Sequence, residues 1–134
     1  MPAKPFLDTN VVVYAFSLGD SRKARAEDLL TEGGTISVQV LNEFVNVSRR
    51  RRGRDWATLR AELAIISEAL EIVPILHETH CAACDIAQRY GFSIYDGTIL
   101  GAAKLAGCRT LYSEDLTHGQ VVDGVTIRNP FVSA

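Results

Sequence analysis

Four acidic residues, Asp8, Glu43, Asp96 and Asp115, stand where an ordinary solvated carboxylate has little reason to be. Asp8 ends the apolar pair Phe6-Leu7, and Asp115 follows the run Thr110-Leu111-Tyr112 in Ser113-Glu114-Asp115. Asp96 opens a helical stretch in Ser93-Ile94-Tyr95-Asp96-Gly97, where a helix dipole tolerates an anion. Glu43 falls between Leu41 and Phe44, on the side that helical spacing makes apolar. Each alone has a plain explanation: a cap or first-turn acid for Asp8 and Asp96, a rim position for Glu43, a turn for Asp115. Together they point to a cluster. Close carboxylates raise one another's pKa and cannot all stay ionised without compensation. Hard divalent cations such as Mg²⁺ or Mn²⁺ supply it, and carboxylate oxygens are the ligands they prefer. The expected site is acidic and binds metal.

Such a cluster needs a scaffold that brings distant segments together. Short apolar runs at Phe6-Leu7, 35–38, 72–75, 110–112 and 125–128 read as strands. Between them lie helical stripes over 10–16, 22–32, residue 40 to the arginine cluster, 56–70, 78–90 and 95–106. Asp20 or Ser21 is the expected cap of the second helix and Asp55 that of the fourth, while Gly33, Gly91 and Gly107 stop helices. Pro74 marks an edge or the end of a strand. Strands alternating with helices imply βαβ units, hence an α/β fold with a largely parallel sheet and helices on both faces. In such sheets functional groups collect beyond the carboxyl ends of the strands, where Asp8 and Asp115 fall. The 134 residues, 47% hydrophobic and 22% charged, suit one ordered domain over 1–134 and exclude a disordered chain. No apolar stretch is long enough to span a membrane, and the start carries no apolar leader, so the expected compartment is the cytoplasm. Three cysteines cannot complete a disulfide framework, which agrees.

Asp8-Thr9-Asn10 after a short strand, Glu43 about 35 residues on, Ser93-Ile94-Tyr95-Asp96 heading a helix and Ser113-Glu114-Asp115 after a strand resemble the PIN-domain ribonucleases. Within them the chain is similar to the toxin component of type II toxin–antitoxin pairs, the VapC group, from Phe6 to Phe131. The resemblance implies a three-layer α/β/α sandwich and cleavage of RNA dependent on Mg²⁺ or Mn²⁺. It also implies a homodimer and a cognate antitoxin that blocks the site. By motif match, Asp8, Glu43, Asp96 and Asp115 take the acidic positions, with Asn10 and Ser113 as polar supports. Asp8 and Asp96 are the expected main metal contacts, Glu43 a ligand or water-orienting group, and Asp115 a peripheral ligand. Glu114 adds a second acid beside Asp115. Gly97 stands where the family often has alanine, an exchange expected to be harmless. Two carboxylate-held metals can activate water, neutralise the phosphate and stabilise the leaving oxygen without a nucleophilic side chain. The expected products carry a 5′-phosphate and a 3′-hydroxyl. A PIN-fold module that binds nucleic acid or a partner without cutting is the alternative, and the presence of all four acids favours the enzyme.

The net charge of −2 hides a clustering of basic residues. Eight of the 14 Lys and Arg residues fall in Arg22-Lys23-Arg25 and in the run Arg49, Arg50, Arg51, Arg52 and Arg54. Consecutive arginines splay around a helix and cannot all pair locally, so the run is expected to contact RNA phosphate or a partner. Other signals are weaker. An aspartyl-phosphate phosphatase would need a general acid where Asn10 stands. His77, His80, Cys81 and Cys84 share a helix face, but structural zinc draws its ligands from separated pieces of chain. Cys81 and Cys84 therefore read as small apolar helix residues, His118 as a turn residue, and Trp56 as core or dimer interface.

Overall fold

The computed structural model describes residues 3–132; the outermost residues of the expected domain lie outside that span. The described chain runs β1(Phe6–Leu7), α1(Thr9–Tyr14), α2(Lys23–Glu32), β2(Thr35–Ser37), α3(Val38–Arg50), α4(Trp56–Ala69) and β3(Glu71–Val73). It continues α5(His77–Tyr90), α6(Ile94–Leu105), β4(Thr110–Tyr112), β5(Val121–Val122) and β6(Val125–Arg128). The sheet order is β3-β2-β1-β4-β6-β5, parallel except for the β5–β6 pair.

This order explains the layers. The chain steps from β1 outward to β3, then returns across the sheet to β4 on the other side of β1. Right-handed crossovers place the helices of those two excursions on opposite faces. Helices α1 to α4 accordingly pack among themselves, and α5 packs along α6. The reversal makes the carboxyl ends of β1 and β4 the place where the sheet opens a crevice. The Asp8 amide donates to the Tyr112 carbonyl at 3.0 Å, joining the two strand ends there. Phe6, Leu7, Ile36 and Leu111 on the strands are fully buried against Val11, Val12, Val40, Phe44 and Leu100 on the helices.

Local chemistry sets the boundaries. Ser37 accepts a hydrogen bond from the Val40 amide and caps α3, so β2 stops one residue short of the expected run and Val38 is already helical. Asp55 caps α4 by accepting from the Thr58 amide at 2.8 Å. Neither Asp20 nor Ser21 caps α2; Asp20 instead holds the amide and guanidinium of Arg22. β3 ends at Val73, just before Pro74, and lies at the sheet edge. β5 is too short to show as an apolar run in the sequence; its hairpin with β6 turns at Asp123-Gly124, both at positive φ. Asp-Gly is the residue pair such a two-residue turn favours.

Gly97 corrects an expectation. A Cβ there would stand 2.6 Å from the Ala83 carbonyl oxygen of α5, so alanine at this position is not harmless and would force the two helices apart. Trp56 is 52% exposed and lies outside the core, with the Arg49 guanidinium 5.2 Å from its ring centre. Cys81 and Cys84 are exposed on α5, each sulfur 3.6 Å from the Nε2 of a histidine one turn earlier. His118 accepts a hydrogen bond from the Asn129 amide. Among the described residues no helix is long and apolar enough to cross a membrane.

Candidate active site

A cavity of about 320 Å³ opens at the carboxyl ends of β1 and β4 and is lined by Asp8, Thr9, Asn10, Glu43, Asn46, Val47, Asp96 and Asp115. The four acids come from four places in the chain: the cap of α1, the middle of α3, the first turn of α6 and the loop after β4. Among the described residues none of the four pairs with a lysine or arginine. They share one cavity without closing on a point. Among the described residues no three Asp, Glu, His or Cys side chains are gathered tightly enough to hold an ion as they stand.

Asp8 is the best-held of the four. Its extended backbone (φ −73°, ψ 160°) ends β1, and its Oδ1 accepts from the Thr9 amide at 2.7 Å as the cap of α1. Oδ2 accepts from the Ser113 hydroxyl at 2.8 Å. Ser113 Oγ in turn accepts from the amides of Asp115 and Leu116, so one fully buried hydroxyl ties Asp8 to the loop that carries Asp115. Burial pushes the Asp8 carboxyl up to about 6 from its usual 3.8. The hydrogen bonds from Ser113 and Thr9 pull it down, and the neighbouring Asp115 and Glu43 charges raise it further.

The other acids are positioned by polar neighbours. Asn10 donates to Asp115 Oδ2 at 2.7 Å from the first turn of α1. Thr9 Oγ donates to Glu43 Oε2, and Gln39, one turn before Glu43, bridges Glu43 Oε1 and the Tyr95 carbonyl at 3.3 and 3.2 Å. Ser93 caps α6 by accepting from the Asp96 amide, which fixes Asp96 in the first turn. Glu114, next to Asp115, is turned elsewhere: its Oε1 accepts from Tyr14 and from Arg22, each at 2.7 Å. Burial and this contact with Glu114 hold the Tyr14 hydroxyl up at about 12.

Thr9, Gln39 and Asn46 join the site beyond the residues expected from the sequence. Spacing held the signal, since Thr9 adjoins Asp8 while Gln39 and Asn46 lie one turn either side of Glu43.

The arginine run divides. Arg52 turns inward, giving two hydrogen bonds to Glu62 at 2.9 and 3.2 Å and others to Ser48 Oγ and the Phe16 carbonyl. Arg54 reaches the same Glu62 and the Phe16 carbonyl. Arg49 donates to the Arg54 carbonyl and lies over Trp56. Arg52 and Arg54 thus depart from the expectation of a phosphate- or partner-contacting run, because a buried glutamate claims them. Arg50 and Arg51 are exposed.

The PIN domain family model matches residues 6–122. No curated protein matches in sequence. Solved structures do match in shape. The Mycobacterium tuberculosis toxin VapC20, described as cleaving the sarcin–ricin loop, superposes with a TM-score of 0.70 at 21% identity, over 88% of this chain and 96% of its own. A toxin–antitoxin complex from Klebsiella pneumoniae gives 0.71 at 19% identity, covering 95% of this chain and 98% of that one. VapBC2 of Rickettsia felis, solved with a promoter DNA fragment, gives 0.67 at 21% identity, covering 92% and 96%.

Proposed function

The chain belongs to the PIN-domain family, and from that premise we propose that it is a divalent-metal-dependent endoribonuclease, the toxin of a toxin–antitoxin pair. The observation that carries this reading is Asp8: a buried carboxylate with no cationic partner among the described residues, beside three further acids in one cavity. A structural carboxylate this buried would be paired or neutral. A catalytic one is left open for an ion.

The donor set fits Mg²⁺ or Mn²⁺. It is all oxygen, and Mg²⁺ commonly takes one or two carboxylates and fills its remaining positions with water. In this reading Asp8 and Asp96 would hold the ion, with Glu43 as ligand or water-orienting group and Asp115 as the outer ligand. When bound, the metal supplies charge neutralisation at the phosphate and activates water for attack. The chain's own residues do the positioning. Ser113 and the Thr9 amide fix the Asp8 oxygens, Asn10 fixes Asp115, and Thr9 with Gln39 fixes Glu43. The pH sense follows for the metal-free site: below about 6 Asp8 is neutral and a poorer ligand, so metal should bind more weakly, and cleavage at subsaturating metal should fall, as pH drops through that value.

The structural neighbours solved as toxin–antitoxin complexes support a protein partner, and in this reading that partner covers the cavity. A basic side chain entering among the four acids would compete with metal. We further read the chain as one PIN domain over 1–134, acting in the cytoplasm as a homodimer.

The deciding experiment uses an unstructured RNA oligonucleotide with Mn²⁺ or Mg²⁺. Wild type should cut it, leaving 5′-phosphate ends, and a chelator should abolish cutting. Asp8→Asn should fold and lose on the order of 10³-fold in rate, the several kcal/mol a metal contributes to the transition state. Wild-type cutting in the presence of chelator, or an Asp8→Asn protein as active as wild type, would overturn the reading. Purified complex with the antitoxin should be inactive.

A further inference from the structure

The active cavity has a wall that continues past its acids. Gln39, Glu43, Asn46 and Val47 line or border the cavity from α3, and at 100° per residue they fall within one stripe about 100° wide on that helix. Arg50 extends the stripe. Two turns beyond Glu43, it comes back within about 20° of it on the helix. Arg49 lies to one side of the stripe, Arg51 stands past the end of the helix, and Arg52, where the chain has turned back, meets Glu62. Arg50 is also exposed, and among the described residues it makes no hydrogen bond or ion pair, unlike Arg49, Arg52 and Arg54.

We propose that single-stranded RNA leaves the acidic cavity along this stripe of α3, past Asn46, and that Arg50 binds a backbone phosphate one to two nucleotides from the cleavage point. The distance suits it: seven residues of helix carry Arg50 about 10 Å along the axis from Glu43. The charge suits it too. Four carboxylates repel a polyanion, and a bound metal offsets that only at the scissile phosphate. Attraction elsewhere must come from a cation on the wall that is not already neutralised. An exposed amide at Asn46, between the acids and the arginine, can donate to a phosphate or a base edge.

The inference rests on the ribonuclease reading, so cleavage and binding are measured separately. Binding is followed with a labelled single-stranded RNA in the Asp8→Asn background, over low to moderate salt. Arg50→Gln should weaken affinity about tenfold at low salt. It should also flatten the slope of log affinity against log salt by about 0.7, the share of one single-strand phosphate contact. Arg50→Lys should keep the slope, and Arg51→Gln, equal in charge but off the stripe, should change affinity less than twofold. With the active Asp8 restored, Arg50→Gln should raise KM and leave kcat within about twofold. Equal losses for Arg50→Gln and Arg51→Gln, or an unchanged slope for Arg50→Gln, would overturn the track while leaving the nuclease intact. A loss of affinity for the antitoxin with RNA binding unchanged would overturn it as well. Absence of wild-type cleavage on any RNA would instead remove the reading on which it rests.

Discussion

Asp8 and Glu62 are withdrawn from water to the same degree, at 9% and 8% exposure, and the fold treats them in opposite ways. Glu62 sits on α4 beneath the end of α3, and two arginines are folded back onto it. Arg52 grips it through both carboxylate oxygens, and Arg54 stands 3.5 Å away. The same arginines hold the Phe16 carbonyl, so this one carboxylate clasps α3, α4 and the segment after α1. Asp8 has hydroxyl and amide donors but, among the described residues, no cation. It lies within reach of two further negative charges instead. Burial alone therefore does not tell these two acids apart. The presence or absence of a counter-charge does, because an ion pair closes a site and an unmatched carboxylate leaves it open for an external cation.

The largest stability effect should follow from breaking the closed side of this comparison. Glu62→Gln leaves Arg52 buried with no counter-ion, which costs about 3–5 kcal/mol where a buried pair loses one partner. Urea unfolding should show a lower midpoint with the slope unchanged. Replacing both partners, as Arg52→Met with Glu62→Leu, should recover most of the loss, since apolar groups of similar size often substitute for a buried pair at little cost. Cleavage per folded molecule should stay near wild type in both. A Glu62→Gln protein of wild-type stability would show that the clasp is ornamental.

The reverse effect is expected on the open side. Because the Asp8 carboxyl is raised from 3.8 to about 6 on folding, the native state binds its proton more tightly than the unfolded chain does. The contribution of Asp8 to the stability of the metal-free protein is therefore fully present below about pH 4 and is lost as pH rises through about 6. Asp8→Asn removes this penalty, worth about 3 kcal/mol at neutral pH. It also sets an amide donor against one of two donors now satisfied, the Thr9 amide or Ser113, a loss of about 1 kcal/mol. The variant should be about 2 kcal/mol more stable than wild type at pH 7 without metal, and slightly less stable near pH 4. Mn²⁺ should raise the melting temperature of wild type only. A variant that is less stable than wild type at pH 7 would mean that Asp8 is a structural acid like Glu62.

The same contrast accounts for what was legible in the sequence. The order of strands and helices and the positions of the acids follow from local patterns: Asp8 after Phe6-Leu7, Ser93 three residues before Asp96, Asp55 ahead of α4. Pairing between distant segments does not. Arg49 to Arg54 read as five equivalent cations until α3 ends at Arg50 and the chain turns back, sending Arg52 to Glu62. Glu62 carried a signal of its own, since it falls with Leu59 and Ile66 on the buried stripe of α4, where an acid requires a partner. Asp123-Gly124 marked a hairpin that apolar run length alone concealed, because β5 is only two residues long. The need for Gly97 was invisible for a different reason. It depends on the carbonyl of Ala83, on another helix.

The smallest expected effect sharpens the comparison at one peptide unit. Glu114 and Asp115 are adjacent acids, yet Glu114 is paired with Arg22 and Tyr14 while the Asp115 carboxylate faces the cavity and, among the described residues, accepts a hydrogen bond from Asn10 alone. Pairing places Glu114 with Glu62, and its partial exposure makes the pair weak, since screened surface pairs contribute under about 1 kcal/mol. Glu114→Gln should therefore shift stability by less than that and leave cleavage within about threefold. Its amide can still accept from Tyr14 and Arg22, so the loop that carries Asp115 keeps its anchor. Asp115→Asn should instead slow cleavage by roughly 10–100-fold, the range for groups that orient or supplement metal ligands. It should cost little stability, because no cation is left unpaired. Cleavage rates of the two variants, measured side by side at saturating Mn²⁺, decide it. If Glu114→Gln proves the slower enzyme, the arginine at position 22 is not closing that carboxylate off, and a counter-charge within hydrogen-bonding distance is no longer enough to mark an acid as structural.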